Sequence, residues 1–275
     1  MALFDNALAE MGYSSILEPR PFITYAKQAG FATVKTADAI SVQSLRDLAP
    51  ELRNAGVMVF RLGIKPGTKG TSFGLAKHTG SWDDYFLQDK NVFAGCKPTP
   101  VKGKREGLRI FDILPRSTET SLVNLAVASG ILTTALQIES KSDEIVNATA
   151  QGTYSFTVRP HKDINEACWH HNFGQVEIDG AFVAKRDGVE TVFVVEAKVS
   201  TDFESLAKHK IAYPMLAIET SLAQGTPVVG VYLRVLRRPS GFGFFVTECC
   251  FSNDQHEIAS LIAVRAGAYL YEPVA

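Results

Sequence analysis

The second half of the chain carries the clearest alternation of apolar and polar positions. In STETSLVNLAVASGILTTALQI (117–138) apolar residues recur at helical spacing behind Ser and Thr suited to capping, which predicts a helix covered on most sides. GTYSFTVRP (152–160) reads as a strand, and GQVEIDGAFVAKRDGVETVFVVEAKVS (174–200) as two strands around an Asp187-Gly188 turn. DFESLAKHKIAYPMLAIETSLAQG (202–225) is helical in pattern, though Pro214 must kink or divide it. TPVVGVYLRVLRR (226–238) and GFGFFVTECCF (241–251) are strands joined around Pro239-Ser240, and DQHEIASLIAVRAGAYLY (254–271) closes as a helix. The order α-β-β-β-α-β-β-α predicts an α/β (α+β) fold with a mixed sheet flanked by helices.

The first 63 residues pattern as a mainly helical region. FDNALAEMG (4–12), FITYAKQAGF (22–31) and SVQSLRDLAPELRNAG (41–56, interrupted at Pro50) are helices, EPRP (18–21) breaks the chain, and VMVFRLG (57–63) is a strand. That order suits either a winged-helix DNA-binding module or three short helices packed on one another. Residues 64–116 show no regular architecture beyond one strand candidate, GLRIFDIL (107–114). The expected organisation is therefore 1–63, a loop-rich connection 64–116, and a main domain 117–275.

Charge separates these regions. Residues 61–116 hold eleven Lys/Arg against five Asp/Glu, whereas 117–275 hold twelve against eighteen. The basic stretch, with Lys65, Lys69, Lys102, Lys104 and Arg105, is either a phosphate-facing surface or a solvated loop. No apolar run reaches the ~18 residues of a membrane span, so no membrane partner is expected. The N-terminus lacks a secretory pattern, and the four cysteines form no CxxC. A reducing, cytoplasmic setting is expected.

The hairpin at 174–200 carries the candidate chemistry. A tight turn at Asp187-Gly188 places Asp179 opposite Glu196 and Glu177 opposite Lys198, with all four on one face together with Gln175. The other face takes Val176, Ile178, Phe182, Phe193, Val195, Ala197 and Val199, and calls for a helix over it. Two carboxylates held ~5 Å apart repel unless a cation lies between them. A hard divalent ion such as Mg²⁺ suits them, and Lys198 would stand beside it to orient or help deprotonate a water, or to neutralise a phosphate. The alternative is a Glu177–Lys198 ion pair on a solvated face, against which VFVVEAK is too apolar for an exposed edge.

EIDG followed by VEAKVS resembles the Asp…Glu-x-Lys signature of the PD-(D/E)XK nuclease superfamily, and HHNFGQVEIDG with VFVVEAK is similar to type II restriction endonucleases. The α-β-β-β-α-β order of 117–237 matches that family's core. The resemblance implies a restriction-endonuclease-like mixed sheet, with Asp179 and Glu196 as Mg²⁺ ligands (Mn²⁺ substituting) and Lys198 as the catalytic lysine. It further implies an acidic residue from the first core helix. Glu119 is the candidate, and a first-turn Glu facing the helix dipole is the alternative. Glu177 is a further ligand or the partner of Lys198, and Gln175 a contact to the scissile strand. Ile178 stands where the family's named pattern has Pro.

The resemblance implies hydrolysis of DNA phosphodiester bonds, double-stranded DNA as substrate, a homodimer cutting both strands, and a companion DNA methyltransferase. A structure-specific repair or recombination nuclease, or an inactive nuclease-like DNA-binding protein, are the alternatives. His170, His171 and Asn172 do not complete an HNH unit, and RLGIKPGTKG lacks the frame of an ATP-binding loop. His209 and Lys210 face either phosphates or solvent.

Overall fold

The computed structural model describes residues 1–101, 108–113, 118–161, 168–239, 241–253 and 256–272. The chain begins with α1 (Asp5–Met11), β1 (Ile16–Pro21), α2 (Phe22–Gln28), α3 (Thr36–Ile40), α4 (Pro50–Asn54), β2 (Val57–Ile64) and β3 (Thr71–Lys77). The three strands form an antiparallel sheet in the order β1-β3-β2. EPRP, expected as a break, is the end of β1. Proline is tolerated there because β1 is an edge strand with an irregular register between Leu17 and Arg20. The central strand, β3, falls in the stretch expected to lack regular structure. Ser72, Phe73, Gly74, Leu75 and Ala76 are all buried, so it shows no alternation to read.

β4 (Phe86–Gln88) runs into α5 (Asp89–Val92), and β5 (Thr99–Pro100) follows. Of GLRIFDIL, the described residues 108–113 form no strand: α6 (Arg109–Ile113) is a short helix that sets Leu108 into the core. The long helix expected over 117–138 is two, α7 (Glu119–Ala128) and α8 (Ile131–Ala135), divided where Gly130 adopts the left-handed conformation (φ 77°). Thr118 caps α7, its Oγ1 accepting the Ser121 N–H at 3.2 Å.

The main body is a seven-stranded mixed sheet. β6 (Ala148–Val158), β7 (Trp169–Arg186) and β8 (Val189–Ser200) form an antiparallel meander. β9 (Ser205–Ala207) then pairs with β4, and α9 (His209–Glu219) crosses over to β10 (Val228–Arg238), parallel to β8. β11 (Gly241–Phe251) and β12 (Leu261–Tyr271) complete the spatial order β5-β12-β11-β10-β8-β7-β6. The helix predicted over 202–225 thus begins only at His209, because Ser205–Ala207 is taken by β4. The predicted C-terminal helix is the strand β12. Its Ala- and Leu-rich sequence favours helix, but the antiparallel ladder offered by β11 overrides that preference.

The architecture is therefore mixed α+β, with a large mixed sheet flanked by helices. α7 and α8 cover one face, packing Leu122, Ile131 and Leu132 against Phe182, Phe193 and Val195. The other face shares one core with the N-terminal region and α9, including Phe60, Ile211, Met215, Val176 and Ile178. The approach is close: a Cβ on Gly63 of β2 would lie 2.0 Å from the Asn172 carbonyl oxygen of β7. No helix among the described residues is long and apolar enough to cross a membrane.

Candidate active site

Asp187 (φ 52°) and Gly188 (φ 74°) form the expected tight turn, and β7 pairs with β8 in the expected register from Arg186↔Val189 to Gly180↔Val195. Beyond Gly180 the geometry changes. Asp179 and Gly180 of β7 stand against the single Thr149 of β6, a β-bulge. There Asp179 Oδ2 accepts the Ala197 N–H of β8 at 2.9 Å.

The bulge breaks the alternation along β7. Val176 and Ile178 pack with Val192 and Val194, whereas Phe182 packs with Phe193 and Val195 in the other core. The expected single apolar face is thus divided between two cores. Glu177 is consequently not the partner of Lys198: it lies opposite Gln151 of β6 and is exposed, as is Gln175.

Glu196, Lys198, Asp179 and Glu119 do converge. Glu196 is 2% exposed. Its Oε1 pairs with Lys198 Nζ at 2.9 Å and lies 3.7 Å from Lys210 Nζ of α9. Lys198 Nζ also reaches Glu119 Oε1, at the start of α7, at 3.5 Å. Burial pushes the Glu196 carboxyl above the ordinary range and the nearby Asp179 charge adds to this, against the pull of Lys210 and Lys198. Burial alone would lower Lys198, but Glu196, Glu119 and Asp179 outweigh it and hold the ammonium above its ordinary value.

No group of three or more His, Cys, Asp or Glu side chains capable of holding a metal ion is assembled among the described residues. Asp179 and Glu196 offer carboxylate oxygens, the donor type that a hard cation prefers. Glu196 Oε1 already stands 2.9 Å from Lys198 Nζ, so a bound ion would share this oxygen with the ammonium.

Residues 98–270 match the family described as Domain of unknown function (DUF6997). The chain belongs to this family. No curated protein and no solved structure matches it. The DUF6997 match reaches every strand of the seven-stranded sheet and all four converging residues, and leaves residues 1–97 outside.

Other expected residues are distributed around the DUF6997 sheet. Lys65 and Lys69 are exposed on the β2–β3 connection, where Lys65 Nζ donates to the Pro19 carbonyl at 3.1 Å. Lys102, Lys104 and Arg105 lie outside the described residues. His209, expected against phosphate or solvent, is buried beside Phe60 and Tyr213, while its neighbour Lys210 joins the cluster. Arg61 of β2 carries no local sequence signal of a role here. It lines a cleft with His171, His209, Lys210 and Tyr213, and a groove past the exposed Phe173 shares Arg61, Gln151 and Gln175 with that cleft.

Two predictions concern this neighbourhood. A Cβ on Gly180 would meet Asn147 Oδ1 at 2.7 Å and Val123 Cγ1 at 2.8 Å. Gly180→Ala is therefore expected to destabilise the protein by about 1–3 kcal/mol through overpacking, measured by urea unfolding. The second concerns acid. Burial lowers His171 to about 4, aided by the Arg61 charge, and lowers His209 to about 3, aided by Lys210 and His171. Folding thus favours the neutral imidazoles, and the stability they contribute is complete above the ordinary value of ~6.5 and is lost as pH falls towards these folded values. The melting temperature should fall between about pH 6.5 and 4, and His209→Phe should flatten that fall.

Proposed function

We propose that this protein is a Mg²⁺-dependent DNA endonuclease of the restriction type, built on a restriction-endonuclease-like core. The observation that carries the reading is the convergence of Asp179, Glu196 and Lys198 at the diverging end of the β7–β8 hairpin. With the short α8 and β9 set aside, the element order α7-β6-β7-β8-α9-β10 supports it, being the α-β-β-β-α-β order of the PD-(D/E)XK core. Buried like charges at this position are costly to a scaffold that does no chemistry.

Asp179 and Glu196 hold the cation, which when bound supplies Lewis acidity towards the phosphodiester. Asp179 is fixed by its bond to the Ala197 N–H, and Glu196 by its burial against Lys198 and Lys210. Lys198 carries its positive charge to the phosphate oxygens as negative charge develops there. Glu119 restrains Lys198 and adds a third carboxylate to the rim. Residues 1–97 lend Arg61 to the groove in which the strand lies, and the exposed Lys65 and Lys69 stand on the β2–β3 connection between Ile64 and Gly70 of its lining. A homodimer presents two such sites to the two strands of a duplex, and a companion methyltransferase protects the host's own sites.

The test is a panel of linear duplex, hairpin, flap and four-way-junction DNA, each with Mg²⁺ and with EDTA. Discrete Mg²⁺-dependent cuts in the duplex are expected. Cutting confined to branched substrates would reassign the protein to repair or recombination, and binding without cutting of any substrate would overturn the nuclease reading.

A further inference from the structure

Beside the carboxylate–lysine cluster, β2, β7 and α9 enclose a cleft of about 250 Å³. Tyr213 and His209, both more than nine-tenths buried, line it with a hydroxyl and an Nδ1 that have no hydrogen-bond partner among the described residues. His171, buried to the same degree, brings its ring nitrogens near the backbone of Gly174 and Arg61 without completing a well-formed hydrogen bond to either. Burying the Tyr213 hydroxyl and the His209 nitrogen unsatisfied is costly, so this wall is built for a polar occupant.

The lining also selects the occupant's chemistry. Arg61 is half-buried and donates to Ser41 Oγ at 3.0 Å, with no carboxylate partner among the described residues. Water would satisfy the imidazoles and the phenol but would leave this guanidinium without a counter-charge. Glu177 is on the lining but exposed. Three aromatic side chains bearing neutral donors and acceptors, beside one unpaired cation, complement a heterocycle with a hydrogen-bonding edge that carries an anionic group. Lys210 belongs to the cleft and stands 3.7 Å from Glu196, which joins the two places.

We propose that this cleft takes one nucleotide of the DNA strand, its base among His171, His209 and Tyr213 and its phosphate on Arg61, next to the bond that is cut. The source of the nucleotide rests on the nuclease reading. A base withdrawn from the stack into such a pocket is read by its edge, which makes the cleft a determinant of specificity.

The test is a titration of protein labelled with ¹³C on its six histidines, in EDTA so that nothing is cut. The probes are the four deoxynucleoside 5′-monophosphates, inorganic phosphate, and a single-stranded dodecamer. The ring signals of two histidines should shift and saturate with at least one mononucleotide and with the dodecamer. Arg61→Ala should weaken this binding about tenfold or more, and Tyr213→Phe, which removes only a hydroxyl, should weaken it severalfold. No shift with any nucleotide, the same shifts with phosphate alone, or unchanged affinity in Tyr213→Phe would overturn the proposal. A response to mononucleotides but not to the dodecamer would overturn the strand as its source. Cleavage by Asp179→Asn at the wild-type rate would remove the nuclease reading without touching these titrations, so the two failures are distinguishable.

Discussion

Asp179→Asn is expected to lower Mg²⁺-dependent DNA cleavage by roughly 10²–10⁴-fold while the melting temperature holds. The amide oxygen of asparagine can still accept the Ala197 N–H that Asp179 Oδ2 now accepts at 2.9 Å, so the bulge keeps its tie to β8. The substitution removes a negative charge beside the buried Glu196, whose ionisation Asp179 opposes. Stability therefore sheds a repulsion with Glu196 and loses an attraction to Lys198, two changes that offset, whereas a bound cation would lose one of its two carboxylate ligands. Mg²⁺ binding followed by calorimetry should weaken in parallel. If Asp179 served the fold alone, the pattern would reverse, with cleavage kept and the melting temperature reduced.

The largest loss of stability is expected at Asp89, far from Asp179 in sequence but tied to the strand beside Lys198. Asp89 is fully buried: its Oδ1 accepts the Tyr232 hydroxyl at 2.7 Å, and its Oδ2 lies 2.8 Å from Arg234 Nε and accepts the Glu204 N–H at 2.8 Å. Arg234 is itself 2% exposed and stands opposite Lys198 in the parallel β8–β10 pairing. Asp89→Ala would strand this guanidinium in the core, at a cost of about 3–5 kcal/mol in urea unfolding at neutral pH. Asp89→Asn, which keeps two acceptor directions, should cost less. A loss below about 1 kcal/mol for Asp89→Ala would show that Arg234 finds other partners.

The hairpin was legible in the sequence because its turn chemistry is local: Asp187 and Gly188 both take positive φ, and the register follows from them. The start of α7 was legible for the same reason, through Thr118. A second Asp-Gly pair, Asp179-Gly180, looks identical in one dimension but forms a bulge, because β6 presents a single residue against it. Nothing in the local sequence distinguishes the two, so the exclusion of Glu177 from the Lys198 ion pair could not be read. β12 reads as a helix in one dimension because its pairing partner, not its composition, decides its conformation. Lys210 and Arg61 reach the site from α9 and β2, through packing that joins parts of the chain far apart in sequence.

The most direct test of the nuclease reading is a time course on supercoiled plasmid and unmethylated phage DNA, with Mg²⁺ or EDTA, comparing wild type with Lys198→Ala. Discrete fragments from the wild type in Mg²⁺, absent in EDTA and slowed about 10²–10⁴-fold in Lys198→Ala, are the predicted result. Intact DNA in every lane, or equal cleavage by the two proteins, would contradict it.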